Sequence, residues 1–120
     1  VSTNLLTASS LMLQTLSSGY LGTSDAAVYT APASSSAKIA TGTLCNTSGS
    51  TVTVYVGVIP SGGTAGASHH VVHAYSLGPN DTLSLTPYLG GTSLTAGDAV
   101  SGYASTGSAV AMVLTGAVAS

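Results

Sequence analysis

The stretch Thr51-Val52-Thr53-Val54-Tyr55-Val56-Gly57-Val58-Ile59 puts a valine at every second position from 52 to 58. Successive side chains of a β-strand point to opposite faces, so this period of two gathers four valines on one side and Thr53, Tyr55 and Gly57 on the other. One apolar face and one polar face describe a strand in a sheet that is covered on one side. The turn formers Asn46, Thr47, Ser48, Gly49 and Ser50 precede it. Residues 38–45 ahead of them are extended in character, so the two segments are expected to pair as a hairpin. Ile39 and Leu44 have opposite parity, and a β-bulge near Gly42 would bring both to one face.

The same pattern continues along the chain. Residues 70–77 are β-branched and aromatic and end at the breaker sequence Gly78-Pro79-Asn80-Asp81, a tight turn. Leu83 and Leu85 then alternate with Thr82, Ser84 and Thr86. Val100, Gly102 and Ala104 alternate with Ser101, Tyr103 and Ser105, and beyond a turn at 106–108 the series Val110, Met112, Leu114 resumes, which predicts a second hairpin. With residues 27–30 added, the spacing predicts an all-β fold with no helical stretch in its body. It is a single antiparallel β-sandwich, jelly-roll or immunoglobulin-like, of about seven to eight short strands, preceded by an N-terminal arm.

That domain is expected over residues 25–120, with residues 1–24 as an N-terminal arm or extra strands. Leu5, Leu6, Leu11, Met12, Leu13 and Leu16 make the first segment leucine-rich without clean alternation or a helical face. They are either further strands of the domain or an assembly interface that packs on a neighbouring chain.

Charge excludes whole classes of function. Charged residues make up 3% of the 120, against about 25% in an average soluble domain. Lys38 is the one Lys or Arg, and Asp25, Asp81 and Asp98 are the acids. Nucleic-acid binding needs several cations to displace counterions from phosphates, and an anionic membrane surface needs the same, so neither partner is expected. A surface of Ser, Thr, Gly and Asn suits a permanent protein partner. No apolar run is long enough to span a bilayer, and no signal peptide is expected, because no basic region precedes an apolar run. Cys45 stands alone, so no internal disulfide forms.

Candidates for chemistry are few. Strict strand alternation places His69 and His73 on one face and His70 on the other, so the three histidines are not expected to converge on a metal. No Gly-x-Ser-x-Gly elbow is present, and each Asp lies in a turn context where carboxylates bind nearby backbone amides. The Gly62-Gly63 loop leads to neither Lys nor helix and so lacks a phosphate cradle. The six tyrosines are scattered one per segment, with Tyr55 and Tyr103 opposite the apolar faces of their strands. The reading is a protein with no catalytic residues, no metal and no cofactor: not an enzyme.

A series of short motifs runs in order through the chain: Val28-Tyr29-Thr30-Ala31-Pro32, Ala37-Lys38-Ile39, Leu44-Cys45-Asn46-Thr47-Ser48-Gly49, the valine strand, and Pro60-Ser61-Gly62-Gly63. Leu77-Gly78-Pro79-Asn80-Asp81-Thr82-Leu83-Ser84-Leu85, Leu94-Thr95-Ala96-Gly97-Asp98 and Tyr103-Ala104-Ser105 follow. In this series the chain resembles a family of small virion-associated proteins of tailed bacteriophages. The resemblance implies a structural module of the virion, either a capsid decoration (cement) protein on the head or a tail component, with no enzymatic residues. The partners it implies are the major capsid protein or other virion proteins and further copies of the chain, expected as a trimer on the capsid surface. Two alternatives stand beside it: a tail or receptor-recognising module that binds glycans through its loops, and a secreted bacterial adhesin or surface-layer domain.

Overall fold

The computed structural model describes residues 11–119. Among them the strands are β1 (Leu11–Tyr20), β2 (Ala26–Thr30), β3 (Ser36–Asn46), β4 (Val52–Ile59), β5 (His70–Leu77), β6 (Thr82–Ser84), β7 (Ser93–Leu94), β8 (Ala99–Ala104) and β9 (Val110–Ala119). A 3-10 turn (Ala67–His69) precedes β5, and a four-residue helix α1 (Thr86–Leu89) follows β6. Two antiparallel sheets pack as a sandwich. One has the order β1-β9-β3-β6 with β7 also on β3; the other has the order β2-β8-β4-β5.

The pairs β1–β9, β2–β8, β3–β6 and β4–β5 are nested, outermost strands with outermost, as in one long hairpin wound into a barrel-like sandwich. That is the jelly-roll arrangement of two Greek keys, with β7 as a two-residue addition. Of the two expected topologies, the jelly roll is the one observed, and the described residues hold nine strands where about seven to eight were expected.

Both expected hairpins are absent. β3 and β4 lie in different sheets, as do β8 and β9, so residues 47–51 and 105–109 arch over the core instead of turning within a sheet. The apolar faces of β3 and β4 therefore meet across the sandwich. Asn46 holds the first arch: its fully buried amide donates to the carbonyls of Ser50 (2.7 Å), Leu77 (3.0 Å) and Gly78 (3.1 Å), and its Oδ1 accepts from the Ser48 N–H and hydroxyl.

The parity problem in β3 is solved as the sequence requires. The register against β9 shifts between Ile39 and Thr41, and both Ile39 and Leu44 are completely buried. Gly42 serves close packing instead, since a Cβ there would lie 2.8 Å from Leu114 Cδ2 and 3.1 Å from Leu85 Cβ.

Val52, Val54 and Val56 form the centre of the core, with Val58 at its margin, and they face Ile39, Leu44, Met112 and Leu114. Leu77, Leu85, Leu89 and Leu94 belong to the same core and follow the length of β3, from Leu77 beside Asn46, past Leu85 at Gly42, to Leu94 opposite Ala37. The absence of helix expected here does not hold, because β6 stops at Ser84 and Leu85 starts a helical turn. Leu85 and Leu89, four residues apart, point into the core together, and the Leu89 N–H donates to the Leu85 carbonyl (2.8 Å).

Candidate functional site

Two surfaces bring candidate residues together. The first is the rim of β1. This strand pairs along its whole length with β9, from Leu11 opposite Ala119 to Tyr20 opposite Ala111, with a bulge between Thr15 and Ser17. Its other edge has no strand beside it among the described residues. Residues 11–20 are thus a strand of the sandwich.

Of the six residues expected to form an assembly interface, Leu11, Met12, Leu13 and Leu16 fall among the described residues. Leu5 and Leu6 lie outside the described residues, and Leu11 begins β1. Leu16 falls at the bulge and packs on the core, because the extra residue there turns it inward. Met12 and Leu13 are 58% and 81% exposed. Beside Leu13 an open groove of about 630 Å³ is lined by Ile39, Ala40, Gly116 and Ala117, with Lys38 its one charged member. Gly116 cannot take a side chain, since a Cβ would collide with the Lys38 carbonyl.

The second surface is the outer side of the β2-β8-β4-β5 sheet. Strict alternation separates His70 from His73, yet their Nδ1 atoms lie 2.8 Å apart. The reason is backbone register. His70 lies opposite Gly57 and Val72 opposite Val56, so Val71 is an extra residue that reverses the parity of Val72 and His73. A second extra residue, at His73–Ala74, precedes Tyr75 opposite Val54, and Ala74 adopts a left-handed conformation (φ 53°) to make room for it. His69 remains apart on the 3-10 turn.

His70 Nε2 bonds Asp25 Oδ2 at 2.9 Å, and the His70 side chain is 3% exposed. Asp25 Oδ1 is buried without a protein partner. Tyr55 and Tyr103, on neighbouring strands, stack with ring centroids 4.2 Å apart and planes 4° from parallel. Tyr55 also meets His73 edge-on at 5.3 Å and His70 at 5.6 Å. Desolvation raises the Tyr103 phenol above its usual range, and Tyr55 and Asp25 push it the same way.

The imidazole centroids stand 5.1 Å apart, close to the nitrogen separation plus the two ring radii, so the two Nδ1 atoms face each other head on. Two nitrogens on a tetrahedral zinc stand about 3.3 Å apart, each at roughly 2 Å from the metal; 2.8 Å is a hydrogen-bond length. Among the described residues no three His, Cys, Asp or Glu are grouped to hold a metal.

The other acids are structural. Asp81 Oδ1 accepts from the Thr82 N–H (2.9 Å). Asp98 accepts from the Ser61 N–H (2.8 Å), the Thr95 N–H and the Thr95 hydroxyl (3.0 Å each), joining two of the loops quoted above. Partial burial raises the Asp98 carboxyl, and these three bonds outweigh it, leaving the group below its usual range. Asp25 is the acid that turn chemistry does not explain.

Compared with protein-family models, curated proteins and solved structures, the chain matches none of them.

Proposed function

We propose that the chain is a non-enzymatic structural protein of a virion, a capsid decoration (cement) protein that binds the major capsid protein lattice and stabilises the head. The observation that carries this reading is the rim of β1: a strand edge with no strand beside it among the described residues, free of charged side chains, with Met12 and Leu13 outward beside an apolar groove. Free edges are normally blunted by charge, proline, bulges or short length; β1 is ten residues long with neither charge nor proline and carries one bulge, between Thr15 and Ser17, and such an edge is suited to a permanent contact. The resemblance to tailed-phage virion proteins supplies the partner, and the near absence of charge fits a subunit that stays in place once docked. Jelly rolls serve in capsids and in lectins alike, so the fold supports the reading by analogy alone.

A second reading, a tail or glycan-recognising module, is favoured by the Tyr55–Tyr103 stack beside the exposed His73. One experiment separates them. Leu13→Lys is expected to abolish incorporation into particles while Tyr103→Ala leaves it intact. Full incorporation of Leu13→Lys, with loss of glycan or host-cell binding in Tyr103→Ala, would favour the second reading.

A further inference from the structure

We propose that Asp25, His70 and His73 form a proton-operated latch, in which the contact between the imidazoles closes on one proton and is opened by the arrival of another on the same pair of nitrogens. The latch joins parts of the chain that no backbone pairing joins. Asp25 ends the connection from β1 into β2, one edge of the four-stranded sheet, and His70 opens β5, the opposite edge. Their bond crosses the outer side of β8 and β4, where Ser101 and Gly57 lie side by side and are both buried.

The hydrogen-bond inventory fixes the protons. An ionised carboxylate only accepts, so Asp25 Oδ2 requires a hydrogen on His70 Nε2. A neutral imidazole has one N–H, so His70 Nδ1 is then a lone pair and must accept from the Nδ1–H of His73. His73, the exposed member, is left with a lone pair on Nε2.

A first added proton goes to that Nε2. The Nδ1–H of His73 still donates to His70, and the bond becomes charge-assisted, so the latch stays shut. Within the imidazole pair, the lone pair left for a further proton is that of His70 Nδ1, which already accepts. Two N–H groups on two cations would then oppose each other across 2.8 Å, and the contact must part. His73 then leaves its edge-on seat against Tyr55.

The other titratable groups against the pair are the phenols of Tyr55 on β4 and Tyr103 on β8. His69 precedes the pair on the 3-10 turn. Asp81 and Asp98 are held by their own turns.

The test is nitrogen NMR of the imidazoles together with amide exchange, taken from about pH 8 to about pH 5. At the upper end, His70 is expected as the Nε2–H tautomer and His73 as the Nδ1–H tautomer. On acidification, the protection factors of β5 amides, which correct the exchange rate for its intrinsic dependence on pH, are expected to fall about tenfold, roughly what one lost hydrogen bond corresponds to. His73→Asn retains an N–H donor near the Nδ1 position but takes up no proton, so it is expected to remove the acid effect, while His73→Ala is expected to loosen β5 at every pH. The opposite tautomers, or an acid effect unchanged in His73→Asn, would overturn the latch. So would stoichiometric zinc that shifts both imidazoles, since the nitrogens would then open onto a metal.

Discussion

Val54 has no exposed surface and lies among Leu44, Val56 and Met112 in the central core. An aspartate there has neither water nor a partner, so Val54→Asp is expected to cost about 3–5 kcal/mol in chemical denaturation. Thr53→Asp, on the other face of the same strand, is expected to cost far less. Equal losses would mean that both faces of β4 are dry. Asn46→Ala leaves the Leu77 and Gly78 carbonyls without their buried donor, and a loss of about 2–3 kcal/mol is expected in the same measurement. Sequence reading succeeded with the valines because alternation is a property of neighbours. It failed with His70 and His73 because one inserted residue, Val71, reverses the parity of Val72 and His73, and nothing in Val71 itself announces that it is the extra one. Asn46 was legible as a turn former, but its burial depends on Leu77 and Gly78, thirty residues away.

Elements were legible where a strand announces itself and illegible where partners are chosen. Two alternating strands around a polar turn read alike whether they pair edge to edge or face each other across a core. Here β9 and β6 flank β3, β8 and β5 flank β4, β2 and β4 flank β8, and β1 and β3 flank β9, so no edge is left for either hairpin and the turns at 47–51 and 105–109 became arches. Loops obey the same non-local logic: Asp98 ties the 60s loop to the turn before β8. Its carboxyl is depressed in the folded state, so its contribution is present above the ordinary carboxylate range and lost as pH falls through the lower, folded value. Asp98→Asn is therefore expected to melt lower than the unmodified chain at neutral pH, with the gap closing below about pH 4. A gap independent of pH would assign the loss to shape instead of charge. At the amino end, deletion of residues 1–10 is compared with deletion of residues 1–20, which include β1. Deleting residues 1–20 removes β1 and bares the edge of β9, and that chain is expected to unfold or aggregate; intact melting of the longer deletion would show that β1 is dispensable to the fold.

Taken as a whole molecule, the protein has almost nothing with which to sense charge at a distance. Attachment through β1 is accordingly expected to withstand salt that dissolves charge-steered complexes, measured as retention on particles across a salt gradient. The nesting of β1 with β9 also dictates an order of events in time. The first strand of the sandwich waits for the last, with the rest of the domain between them, so during synthesis β1 emerges from the ribosome long before β9 exists to receive it. Chain closure over such a separation is slow, and refolding of the isolated chain is expected in the millisecond-to-second range by stopped-flow, not in microseconds. Until β9 arrives, an uncharged strand waits in a crowded polysome among identical unfinished chains, and the pairing that completes the monomer competes with the pairing that would join two nascent ones.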